Sequence, residues 1–114
     1  MSRKPADRIA DMRHCCEKIL KFTSGMDQDR FAEDELVTDA VLHNIEIIGE
    51  ATKNLPTEIQ SRMSVIEWRK IAGMRDMISH AYFQIDPGIV WDVVETKIPE
   101  LLRAIEAYQE DNPP

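Results

Sequence analysis

The stretch that decides the fold is "LVTDAVLHNIEIIGEATKNL", residues 36–55. On a helical wheel at about 100° per residue from Leu36, eight residues cover about half the circumference: Val37, Ala40, Val41, Ile45, Ile47, Ile48, Ala51 and Leu55. A helix facing a single packing partner needs a stripe only a little over about 100° wide. The spacing therefore predicts a long helix, roughly Asp29 or Asp34 through Asn54, that is either central to a bundle or buried on a second side by another subunit. Asn44 falls near the middle of the apolar arc. It is either a buried amide satisfied by a neighbouring helix or a polar group reaching into a site or a subunit interface.

Working outward, Pro5 suits a first helical turn and opens "ADRIADMRHCCEKILKF" (6–22), where Ile9, Met12, Cys16, Ile19 and Leu20 recur at helical spacing. "TSGMDQD" (23–29) breaks that helix. After the central helix, "LPTEIQ" (55–60) opens a short one at Pro56. "SVIEW" (64–68) reads as a capping box, Ser64 as N-cap with Glu67 three residues on, and starts the next helix. Asp86 and Pro87 read as the cap and first residue of another helix, which Pro99 kinks or divides. With four Gly and helix-favouring residues throughout, the expected fold is all-α: an up-and-down bundle of four to six helices. No repeat, low-complexity segment or internal boundary interrupts it. One domain is expected over 1–110, with a polar tail at 111–114.

The 21 acidic and 14 basic residues leave a formal net charge of −7. That argues against a broad basic footprint for nucleic acid or an anionic membrane. It leaves room for a small basic pocket in an acidic shell. Cys15 and Cys16 are adjacent, a spacing that suits neither a structural disulfide nor a metal site, so free thiols in a reducing compartment are expected. Neither a signal peptide nor an apolar run of about 18 residues is present. A soluble cytoplasmic chain is expected, with no membrane association, no cofactor and no metal.

One segment departs from ordinary helix composition: "RDMISHAY" (75–82). With Arg75 at zero, Ser79 falls near 40°, Asp76 near 100° and His80 near 140°, while Tyr82 returns close to Arg75. Asp76 and His80 are four apart and can touch, so the carboxylate could hold the imidazole in one tautomer and raise its pKa. Arg75 and His80 diverge too far for a compact site on one ideal helix. Either the helix distorts near Ser79, or two copies meet and build the site across their interface. Arginine is the preferred fork for phosphate and stabilises charge growing on a phosphorane. Histidine takes or returns a proton near neutrality. Together they suit metal-free cleavage of an RNA phosphodiester by its own 2′-hydroxyl, with a symmetry-related histidine as the acid. The plainer alternative makes Arg75 and Asp76 surface charges and His80 a polar residue at a helix boundary.

Arg-x4-His-x-Tyr, here Arg75, His80 and Tyr82, resembles the signature of HepT-like proteins in the HEPN superfamily. "HNIEIIGEATKNLP" (43–56) is similar to that family's long second helix, and "EWRKIAGMRDMISHAYFQIDPGIVWDVV" (67–94) to its motif region. The likeness runs from about Val37 to Leu101. It implies a small all-helical homodimer that acts as a metal-independent endoribonuclease toxin, encoded beside a minimal nucleotidyltransferase antitoxin. By that resemblance Arg75 and His80 form the ribonuclease site at a dimer cleft, Asp76 supports it, and Tyr82 is the residue the partner adenylylates. An added AMP would place bulk and negative charge beside Arg75. Glu46 and Glu50 match acidic positions of the second helix and either line the cleft or face solvent. His14 and His43 match no signature and read as surface or boundary residues. Trp68 and Trp91 read as core or interface anchors. A second reading is a non-catalytic helical subunit that docks to a nucleotidyltransferase or binds nucleotides, and the acidic charge supports it.

Overall fold

Asp34 is where the chain enters its central helix. In the computed structural model, which describes residues 3–81 and 85–113, the Asp34 carboxylate accepts the Val37 N–H at 3.0 Å. Asp34 thus caps α3 (Glu35–Lys53) and also closes the short α2 (Gln28–Glu33) before it. Such a cap satisfies one of the orphan donors of the first turn and contributes about 1 kcal/mol. Ahead of them runs α1 (Pro5–Phe22), with Pro at its start. Thr23 ends α1 by donating its hydroxyl to the Ile19 carbonyl at 2.8 Å. Gly25 then takes φ +78°, a left-handed turn position that suits glycine.

The wide apolar arc of α3 has its explanation inside the chain. One side packs on α1 and another on α5 (Trp68–Ala81), so α3 is the central beam. Helices α1 and α3 pack on one another, and Met12, Cys16 and Ile19 of α1 and Val41, Ile45 and Ile48 of α3 are fully buried in one core. Phe31 of α2, also fully buried, tilts against the Trp91 ring with centroids 5.3 Å apart. A pair of this kind adds about 0.5–1.5 kcal/mol beyond area burial. Cys15 and Cys16 are free and buried; burial raises both thiol pKa values, that of Cys16 to about 12.

The expected capping box at Ser64 does not form. Residues 63–65 are a turn, and the Glu67 carbonyl, not that of Ser64, accepts the first N–H groups of α5, from Lys70 and Ile71. Burial decides this. Met63 and Ile66 both turn into the core, and the Glu67 carboxylate is held by Lys97 at 2.8 Å and Lys70 at 3.0 Å. The Trp68 indole N–H is shared between the Gln60 and Met63 carbonyls, at 3.0 and 3.2 Å, and closes the end of α4 (Thr57–Arg62).

The last helical rod starts as read, with Asp86 accepting the Gly88 N–H at 2.8 Å and Pro87 in the first turn of α6 (Pro87–Asp92). Pro99 divides the rod without stopping it. Proline has no N–H to donate and its ring crowds the carbonyl four residues back in a regular α-helix, and a π-turn at Val93–Lys97 absorbs the mismatch, the Ile98 N–H reaching back to the Val93 carbonyl. Helix α7 (Ile98–Asp111) then packs on α1. Counting α6, the π-turn and α7 as one rod gives six among the described residues, within the expected four to six. Among the described residues there is no strand, and no helix is long and apolar enough to cross a membrane.

Candidate active site at the crossing of two helices

Arg75, Asp76, Glu46 and Glu50 meet where α5 crosses α3, and a glycine makes the crossing close. A Cβ on Gly49 would collide with the Cβ of Arg75, with Arg75 Cγ only 3.2 Å and Cα 3.3 Å away. Gly49 thus lets the Arg75 backbone sit against the central beam. The Arg75 side chain runs into a groove of about 260 Å³ lined by His43, Glu46, Ile47 and Glu50 of α3.

Carboxylates surround the guanidinium. Arg75 Nε lies 3.4 Å from Glu50 Oε2, and Nη1 lies 3.6 Å from Asp76 Oδ1. Neither distance is that of a tight fork, and Nε is buried with no hydrogen-bond partner. A buried donor left in that state is costly, so this arginine is positioned but not saturated. Ser79 donates to Glu46 Oε1 at 3.3 Å, which ties the next turn of α5 to the same wall of α3.

Asp76 does not orient His80 through its carboxylate, as the four-residue spacing suggested. That carboxylate turns instead to Lys53 Nζ at 2.5 Å, and the Lys53 hydrogen bond is the main reason its pKa is lowered. His80 is nevertheless held by the same residue, its Nδ1 lying 2.7 Å from the Asp76 main-chain carbonyl. A carbonyl can only accept, so Nδ1 carries the proton and Nε2 of the neutral ring is left with its lone pair. The ring is exposed.

Helix α5 is α-helical without interruption through Ser79 to Ala81. The distortion that would have brought Arg75 and His80 together on one helix is therefore absent, and the two side chains leave α5 about 140° apart. Tyr82 lies outside the described residues. Asn44 is 3 % exposed; it donates to the Ala40 carbonyl of its own helix at 2.7 Å, and its Oδ1 has no partner. It is buried, but no neighbouring helix satisfies it. His14 is exposed on α1. Among the described residues no group of three or more His, Cys, Asp or Glu side chains is spaced to share a metal ion.

The model of the family described as Ribonuclease HepT-like matches residues 12–108. The chain belongs to the HepT-like ribonuclease family. Curated members of similar sequence agree. "Putative RNase TTE0752" of Caldanaerobacter subterraneus subsp. tengcongensis is 38% identical over 91 residues, covering 80% of this chain and 81% of that protein. "Probable ribonuclease HepT" of Thermococcus cleftensis is 38% identical over 101 residues, 89% of this chain and 92% of its own length. "Putative RNase MJ0127" of Methanocaldococcus jannaschii is 36% identical over 103 residues, 90% and 85% of the two chains. No solved structure is significantly similar to this chain.

Two residues at this HepT-like crossing, Gly49 and Lys53, were not singled out from sequence, and His43, read there as a surface or boundary residue, is exposed. Gly49 had a signal, since a lone glycine inside a strongly helical run marks a close approach. Lys53 had one too, lying three residues after Glu50 and seven after Glu46 on neighbouring positions of one helix. The place of His43 in the groove wall depends on where α5 crosses, which spacing along α3 alone does not reveal.

Proposed function

We propose that this HepT-like protein is a metal-independent endoribonuclease toxin that cuts RNA at a site shared by two copies of the chain. Arg75 binds the scissile phosphate and stabilises the charge that grows on it. His80 Nε2 takes the proton from the ribose 2′-hydroxyl, whose oxygen attacks the adjacent phosphorus. The bond to the 5′-oxygen breaks, and the His80 of a second copy returns a proton to that leaving oxygen, so a 2′,3′-cyclic phosphate and a 5′-hydroxyl result. Asp76 supports both groups, the arginine through its carboxylate and the imidazole through its carbonyl.

The observation that carries this reading is the unbroken α5. A straight helix sends the guanidinium and the imidazole in different directions, and a second copy brings the two kinds of group to one phosphate. The unsaturated Arg75 and the outward-facing Nε2 agree with it. Glu46 and Glu50 on the groove wall, and Asn44 buried on the same helix, are candidates for the cleft or subunit contact.

Regulation in this reading follows the family resemblance. A minimal nucleotidyltransferase adenylylates Tyr82, and the added phosphate competes with RNA for Arg75. A test has two parts. Purified protein should cleave RNA in EDTA, with cleavage abolished by His80→Ala and by Arg75→Ala. Full activity in both variants would remove the assignment. Co-expression with the neighbouring nucleotidyltransferase should add the mass of one or more AMP units at Tyr82.

A second reading, a non-catalytic subunit that docks to the nucleotidyltransferase, draws on the −7 charge and on the two carboxylates flanking Arg75. Stoichiometric partner binding without any RNA cleavage would select it.

A further inference from the structure

We propose that Lys53 is a second phosphate-binding residue of this site, kept beside Arg75 by their shared contact with Asp76; the inference rests on the ribonuclease reading above. One oxygen, Asp76 Oδ1, serves both cations, with Lys53 Nζ at 2.5 Å and Arg75 Nη1 at 3.6 Å. Laid end to end, those two distances keep the nitrogens within about 6 Å of each other. A phosphodiester has two non-bridging oxygens, each able to accept a charge-assisted bond of about 2.7–2.9 Å, so two cations that close can share one phosphate.

The surroundings favour a binding role over a fastening one. The Lys53 and Asp76 side chains are 36% and 49% exposed, and ion pairs this open to solvent contribute little to stability. They come from different helices, so the contact places the α3 lysine next to the α5 arginine. Two cations this close repel one another, and the carboxylate between them offsets that repulsion in the empty site. A phosphate arriving at the pair carries its own negative charge and can take the place of Asp76. In a chain with an excess of seven acidic residues, concentrating cations at one point is the physical means of holding a polyanion.

The test measures affinity for a short, end-labelled RNA oligonucleotide with 2′-O-methyl riboses, which cannot be cut by 2′-oxygen attack, across a salt series. Full-length wild type, Lys53→Gln, Lys53→Arg and Lys21→Gln are compared. Lys21, exposed in the last turn of α1, controls for loss of one positive charge. Lys53→Gln should weaken binding about tenfold and make the slope of log affinity on log salt shallower by about 0.7, one phosphate contact on a single strand. Lys53→Arg should restore the slope, and Lys21→Gln should leave it unchanged. If wild type binds and cleaves RNA but Lys53→Gln keeps its affinity and slope, the ribonuclease reading stands and the Lys53 assignment falls. A lowered melting temperature with an unchanged slope overturns it equally, because that is what a purely structural ion pair gives. Should wild type neither bind nor cleave, both proposals fall together.

Discussion

The α1-facing side of α3 and the edge of its crossing with α5 are built on opposite principles. Toward α1 it presents Val41, Ile45 and Ile48, all buried, to an apolar layer whose stability comes from removing hydrocarbon from water. Toward α5 it also meets buried Ile71 and Ile78, but along the open edge of that crossing Gly49, Glu46, Glu50 and Lys53 meet Arg75, Asp76 and Ser79. The first contact holds the protein together. The edge of the second holds charged groups near one another at the surface, where such pairs stabilise little. Stability and chemistry are thus separated between the buried core and the charged edge of one crossing, and substitutions in the two places should dissociate them.

The sharpest dissociation is expected between His80 and Phe31. His80→Ala removes an exposed ring and should lower RNA cleavage by about 10²–10⁴-fold, while unfolding free energy moves by no more than about 0.5 kcal/mol. Phe31→Ala empties a fully buried position and should cost about 3–5 kcal/mol in urea unfolding, the folded fraction keeping its turnover. If His80→Ala unfolds the chain or Phe31→Ala alters turnover per folded molecule, the separation of core from site is wrong.

Gly49 tests the boundary between them. Gly49→Ala gains up to about 1 kcal/mol of helix propensity, but its methyl group collides with Arg75, and overpacking of this kind costs about 1–3 kcal/mol. Displacement of Arg75 should reduce cleavage by up to about a hundredfold. Gly73→Ala is the control, since a Cβ there meets nothing within 4 Å. It should leave cleavage intact and stability equal or slightly higher.

The smallest effect belongs to Glu67, which fastens the start of α5 to the π-turn. Its hydrogen bonds from Lys97 and Lys70 lower its pKa from the usual 4.5 to about 2. The folded chain therefore binds this proton less readily than the unfolded one. The contribution is complete above pH about 4.5 and is lost as pH falls toward 2. Because the group is fully exposed, the shift in melting temperature across that window should be slight. It should flatten in Glu67→Gln.

How much of this was legible beforehand varied with the kind of force involved. The helices along α1, α3 and the last rod follow from apolar spacing and from caps at Asp34 and Asp86, because both signals are local. The Ser64 box failed for a non-local reason: burial of Met63 and Ile66 together with the pull of Lys97, thirty residues away in the chain, overrode a local preference. The same holds at the crossing. Spacing placed Asp76 within reach of His80, yet the carboxylate turned to Lys53, a stronger partner supplied by another helix. Arg75 and His80 could be named from their types and order. The glycine that seats the arginine and the lysine beside it emerge only once α5 lies on α3.

The buried pair at Cys15 and Cys16 makes the chain its own reporter. A thiol whose pKa is about 12, as at Cys16, carries almost no thiolate at neutral pH, and alkylating reagents attack the thiolate. Reaction with such a reagent should therefore wait for α1 to lift away from the beam. Its rate would time the opening of the interior in unmodified protein, with no label or engineered residue required.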